Sequence, residues 1–221
     1  MASEATTLRN IVAAFTDFLT VAIHTILYER AIYPQTSFLS ARKYNFAVRQ
    51  NRHPKVCGWI NDAVSAVEME LLKGTVERVA IVIFTKDNKP AERFMLDVSR
   101  FPTATLADLD TPLERKSANG DNISILPKVD MEEQFRATLS RLANCGSTLR
   151  PLPEGSTFTV AIELKGVGQA PIAHPQPWMP VEPTKQDDID GRVQKRAVPV
   201  RAVAAGEMML ECWIEEAAVS D

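Results

Sequence analysis

Cysteine and histidine are scarce: the 221-residue chain carries three of each. Cys57, Cys145 and Cys212 are odd in number, far apart and form no CxxC. A disulfide framework is therefore not expected, and a reducing compartment is. His24, His53 and His174 stand alone, outside any HExxH or His/Cys cluster, so no metal site is expected. The glycine-rich phosphate loop GxxxxGK[ST] is missing. Gly166-Val167-Gly168 lacks both the third glycine and the following helix of a dinucleotide loop. The stretch Gln186 to Gly191 has the look of a calcium loop. Its first ligand would be Gln186 and its twelfth Ala197, where a bidentate glutamate is required. No GxSxG surrounds a serine, and no cysteine carries a nucleophile signature. These absences together predict a protein that is not an enzyme and needs no cofactor.

An excess of one charge is also lacking. Lys plus Arg number 25 and Asp plus Glu 28, a formal net charge of −3. Such a balance gives no electrostatic footprint for gripping nucleic acid, so no direct nucleic-acid binding is expected. If the protein works on DNA, a partner supplies the affinity. Arg192, Lys195, Arg196 and Arg201 make only a modest basic cluster. The opening Met-Ala-Ser-Glu puts no basic segment before the apolar stretch, which argues against a secretory signal. The run Ile11 to Leu27 is apolar enough to be weighed as a membrane span. It contains Asp17 and His24, and a mid-membrane aspartate costs about 2.5–3.5 kcal/mol. It is read as a core helix, with no membrane partner.

What is present is a core. Hydrophobic residues make up 45% of the chain and charged residues 24%, the proportions of a globular protein with ample apolar side chain. Residues 8–30 place Leu8, Ile11, Val12, Phe15, Phe18, Leu19, Ala22, Ile23 and Ile26 on one wide helical face, closed by Pro34. Residues 42–50 alternate around Tyr44, Phe46 and Val48, predicting a short strand. After His53-Pro54, a second helix carries Ile60, Val64, Val67 and Leu71 and stops at Gly74. Residues 78–85 read as a buried strand, and Phe94, Leu96 and Val98 as its hairpin partner. Residues 101–128 lose all periodicity and predict a long, mobile surface loop. A third helix is expected over 130–145, then a strand from Thr157 to Leu164. A proline-rich stretch from Pro171 to Pro183 precedes two alternating segments, Ala197 to Val203 and Met208 to Ile214. The tail is thus an excursion that returns to the sheet, and the chain is one domain.

One signature stands out. A long apolar helix ending in Ile26-Leu27-Tyr28-Glu29-Arg30-Ala31-Ile32-Tyr33-Pro34 resembles the HORMA domains of the spindle-checkpoint type. The order of elements agrees, and the resemblance runs from about Leu8 to Glu216. Lys43-Tyr44-Asn45, His53-Pro54, Val79 to Phe84, Ser156 to Val160 and Pro177-Trp178 make the chain similar to one branch in particular. That branch is the non-catalytic accessory subunits of translesion DNA polymerase zeta.

The resemblance implies an α+β fold: a single HORMA domain at 8–216, with three main helices packed on a mainly antiparallel sheet. Its core would cover about 8–165 and a C-terminal seat belt about 166–216. It implies a nuclear adaptor of DNA damage tolerance that captures an extended, proline-containing peptide of the catalytic subunit of polymerase zeta. Trp59 and Trp178 would form the proline pocket, although burial in the core is the ordinary fate of a tryptophan. Ala197, Glu211 and Trp213 would face a second partner, the deoxycytidyl transferase of translesion synthesis. Here Ala197 replaces a larger apolar residue and Glu211 an amide. Arg136 would sit at a HORMA–HORMA dimer interface, its alternative being an exposed helix charge paired with Glu132 or Glu133. The other branch, a spindle-assembly-checkpoint HORMA protein binding a cell-cycle regulator, is the second reading.

Overall fold

The computed structural model describes residues 6–105, 107–116, 122–124, 128–166, 196–205 and 208–217. The first element is α1, Leu8–Glu29. Thr7 caps it, its hydroxyl accepting the Asn10 N–H at 3.2 Å. By length and composition this helix could cross a membrane, but 67% of its most apolar window is buried inside the protein. Asp17 escapes burial by facing solvent, where it pairs with Lys43 at 2.8 Å. His24 is buried, and its Nδ1 accepts the Asn51 N–H.

A hairpin follows, β1 (Phe38–Lys43) and β2 (Phe46–Asn51), paired from Phe38↔Asn51 to Lys43↔Phe46. The sequence pattern had suggested one strand through Tyr44. Tyr44 and Asn45 instead form the turn, with φ of 50° and 54°. Two consecutive left-handed residues match the twist of the flanking strands. An alternation that includes a turn residue reads falsely as one continuous strand. Helix α2 (Pro54–Leu72) begins with proline at its first turn and ends at Gly74, whose φ is +71°.

The main sheet contains β3 (Val76–Phe84), β4 (Pro90–Asp97), β7 (Thr157–Leu164), β8 (Arg196–Ala205) and β9 (Met208–Glu216). Their order is β7-β3-β4-β9-β8, with every neighbour antiparallel. Helix α3 (Lys128–Leu142) is the third of the long helices. One face of the sheet, through Val79, Ile81, Phe94, Leu96, Leu210, Cys212 and Ile214, packs with all three helices in one core. Phe18 of α1 stacks on Phe135 of α3 at 4.5 Å. The hairpin β1–β2 lies against α1 and reaches α3, where the Tyr44 and Phe135 rings are 5.8 Å apart. The α+β expectation of three helices on an antiparallel sheet holds.

The stretch 101–128 departs from the long, mobile loop expected. Phe101 and Leu109 are buried, and the Phe101 ring meets Phe15 edge-on at 5.2 Å. Leu113 donates its N–H to the Thr6 carbonyl, and Arg9 pairs with Asp110 at 2.7 Å. Two three-residue strands, β5 (Glu114–Lys116) and β6 (Asn122–Ser124), pair with each other. The prolines break periodicity, but two apolar anchors are enough to tie the first half of the segment to α1.

Candidate functional site: a free sheet edge with an aromatic corner

Strand β7 has β3 on one side and, among the described residues, no strand on the other. Its outer row of N–H and C=O groups is a template for an added strand. Three aromatic rings gather beside it. Phe158 of β7 meets Trp59 of α2 edge-on, with centroids 4.9 Å apart and planes at 76°. Tyr33 approaches the same ring at 6.4 Å and 87°. All three are half-buried, so their ring surfaces are partly available to a ligand. Burial pushes the Tyr33 phenol above its ordinary pKa.

Each ring is placed by local chemistry. Tyr33 follows the end of α1, where Arg30 caps the helix and Ala31 turns the chain at φ 52°. The Arg30 side chain is buried and holds Glu92 of β4 in a two-pronged pair, Nε to Oε2 at 2.9 Å and an Nη to Oε1 at 2.6 Å. Burial pushes the Glu92 carboxyl up, with Arg30 pulling it down and Glu216 pushing it further up. Glu216 is the register partner of Glu92 on β9; it accepts the Arg150 N–H at 3.0 Å and pairs with Arg196 at 3.2 Å. Trp59 is aimed by the start of α2. The Asn51 side chain accepts the His53 N–H at 2.8 Å, and its backbone carbonyl accepts the Cys57 thiol. Tyr33 and Phe158 were not singled out as site residues in the sequence. Tyr33 belongs to the signature motif at the end of the first helix, and Phe158 to the strand from Thr157 to Leu164, where spacing alone carries no sign of a binding role.

Ala197, Glu211 and Trp213 lie together on the other face of the sheet, away from the helices. Their register partners on neighbouring strands are Glu215 for Ala197, Ala202 for Glu211 and Pro199 for Trp213. Ala197 and Glu211 are exposed. Trp213 is half-buried against a small cluster of Ala80, Val82 and Met95, and its indole N–H donates to Glu215 at 3.0 Å. Along β9 it alternates with the buried Leu210, Cys212 and Ile214, which point to the helices. Arg136 is exposed on α3 and pairs with Glu133 at 3.2 Å. Trp178 and most of the seat-belt region, 167–195, lie outside the described residues. Among the described residues, no three His, Cys, Asp or Glu side chains converge as metal ligands.

Comparison with known proteins adds the relationships. Residues 12–187 match the HORMA domain. A DNA polymerase zeta processivity subunit of Schizosaccharomyces pombe is 33% identical, the match covering 94% of this chain and 93% of that one. The human mitotic spindle assembly checkpoint protein MAD2B is 27% identical over 91% of this chain and 89% of its own. Among solved structures, a chain of the mitotic checkpoint complex superposes with a TM-score of 0.69 at 17% identity, covering 95% of this chain and 99% of that one. Caenorhabditis elegans HTP-1 bound to a HIM-3 closure motif gives 0.63 at 13%, covering 98% and 94%.

Proposed function

Because the chain belongs to the HORMA domain family, we propose that it is a non-catalytic adaptor, the accessory subunit of a DNA polymerase zeta. It captures an extended, proline-containing segment of the polymerase's catalytic subunit along β7. The observation that carries this reading is the β7 edge, unpaired among the described residues, with Tyr33, Trp59 and Phe158 grouped beside it. Strand addition supplies main-chain hydrogen bonds, and the aromatic corner supplies a pocket that favours a flat, rigid proline ring. Connectivity supports a strap. Leu164 ends β7 at one edge of the sheet, and Arg196 begins β8 at the other edge, level with Phe158; four strand spacings across and six residues along put the two ends about 28 Å apart. The chain joining them includes Trp178 and has length to spare for passing over a bound segment. A strap slows release, because the ligand leaves only when the strap opens.

Ala197, Glu211 and Trp213 then serve as a second docking face for the deoxycytidyl transferase, and Arg136 serves a dimer with another HORMA chain. The setting is the nucleus. The test is titration of proline-containing peptides from the catalytic subunit. Trp59→Ala, Phe158→Ala and Trp178→Ala each cost at least about 2 kcal/mol, or roughly thirtyfold in affinity, with circular dichroism unchanged. Wild-type affinity in all three variants refutes the pocket. Trp213→Ala leaves peptide affinity intact and loses the transferase; Arg136→Ala shifts dimer to monomer in sedimentation. A protein that ignores these peptides but binds a segment of a cell-cycle regulator belongs to the checkpoint reading instead.

A further inference from the structure

The net charge of −3 conceals a segregated distribution. Between Glu29 and Asp62 there is no acidic residue, yet the interval holds Arg30, Arg42, Lys43, Arg49, Arg52 and Lys55. Six of the 25 cations thus fall in one stretch, leaving 19 against 28 acidic residues in the rest of the chain. Two of the six are neutralised in the fold: Arg30 by Glu92, and Lys43 by Asp17. A third, Arg49, bonds Ser40, lies 5.1 Å over the Tyr28 ring and faces Glu29. The remaining three, Arg42, Arg52 and Lys55, are exposed and have no carboxylate partner among the described residues. The basic cluster suggested by sequence fares differently. Of its described members, Arg196 is tied to Glu216 and Arg201 to Gln134.

The topology lines the free cations up. Arg42 lies opposite Ala47 near the hairpin turn, and Arg52 follows the far end of β2, its N–H on the Ser37 carbonyl. Five residue steps lead from Ala47 to Arg52, about 17 Å at about 3.4 Å each. Lys55 continues the row in the first turn of α2. The scaffold beneath is rigid, since Phe38, Val48 and Asn51 are buried against the domain. A fixed row of unpaired cations about 17 Å long matches about five phosphate steps of a duplex, whose strand charges repeat every 3.4 Å along the axis. Its hairpin end lies beyond α1 from the sheet, away from the Trp213 face, while Lys55 stands one helical turn before Trp59 and so brings the row up to the aromatic corner beside β7.

We propose that the β1–β2 hairpin and the start of α2 form a contact surface for the sugar–phosphate backbone of DNA. Three contacts give weak, sequence-independent binding, which holds a polymerase assembly on its template without positioning it on any sequence. The overall charge balance remains that of a chain without long-range pull on DNA; the patch acts at short range.

The experiment is fluorescence anisotropy of the full-length protein with a labelled DNA duplex. Three phosphate contacts predict a salt slope of about −2.7, so affinity falls about fortyfold between about 50 and about 200 mM salt. Arg42→Gln/Arg52→Gln/Lys55→Gln flattens that dependence and removes binding, while thermal unfolding stays at the wild-type value. Lys86→Gln/Lys89→Gln, which removes two exposed cations at the far β3–β4 turn, changes neither. The proposal is overturned by an absence of binding at low salt, by equal loss in both variants, or by wild-type binding in the triple variant. It is also overturned if a polyglutamate peptide binds the patch more tightly than DNA, which would make the surface a dock for an acidic protein.

Discussion

Replacing Arg30 by leucine tests whether the buried charge cluster holds the end of the signature helix to the sheet. The Arg30 and Glu92 side chains are only 5% and 3% exposed, and they meet through two hydrogen bonds. Glu216, 3% exposed, stands beside Glu92 on the next strand. Without Arg30, two carboxylates share the site with Arg196, whose side chain is 53% exposed and so weakly coupled. Breaking one side of such a pair costs about 3–5 kcal/mol, because the stranded charge can neither leave nor be hydrated. For a domain of this size that is roughly 6–20 °C in Tm. The Arg30→Leu/Glu92→Leu double variant recovers most of the loss, since an apolar pair of similar volume needs no counter-charge. The pH dependence has a definite sign. Burial already raises the Glu92 pKa, and losing Arg30 removes the influence that lowers it. The native variant therefore binds a proton more readily than the unfolded chain, and its deficit shrinks as pH falls from about 7.5 to about 5. Urea denaturation of the four proteins in the cycle at both pH values measures this. A deficit below about 1 kcal/mol, or one that does not change with pH, refutes the reasoning.

Burial holds the His24 imidazole down at a pKa of about 4, so the native state keeps it neutral while the unfolded chain protonates near 6.5. Its contribution is full above pH 6.5 and falls by about 3 kcal/mol as pH drops to 4; His24→Gln, followed by urea denaturation across that range, removes this share of the acid sensitivity. Burial pushes the Cys145 and Cys212 thiols up to about 12, whereas Cys57 is half-buried. A thiol reagent therefore labels Cys57 first in the native protein and reaches all three only in denaturant, as counted by mass spectrometry. Ala31 sits at φ 52°, a region that costs a side chain about 1–2 kcal/mol. Ala31→Gly relieves that cost at the expense of unfolded-state entropy, so calorimetry shows unchanged or slightly higher stability.

Much of the domain was legible along the chain because its determinants are local. The wide apolar face of α1, the proline and glycine that bracket α2, and the alternation of β7 and β9 follow from residue spacing alone. The motif from Ile26 to Pro34 was legible as a pattern, but its meaning is spatial. Arg30 is there for Glu92, 62 positions away, and Tyr33 for Phe158. Trp59 could be picked out as a site residue, while its neighbours in the aromatic corner could not, since only the packing of α2 over β7 brings them together. The hairpin turn at Tyr44-Asn45 was hidden because a left-handed backbone leaves no mark on hydropathy. Residues 101–116 passed for loop because two anchors, Phe101 and Leu109, make no period. Charge shows the division most clearly. The sum of −3 is a property of composition, and the gap in acidic residues from 30 to 61 is visible in the sequence. Which of those cations remain unpaired was decided by the fold, because neutralisation depends on a carboxylate within about 4 Å, and that distance exists only in the tertiary structure.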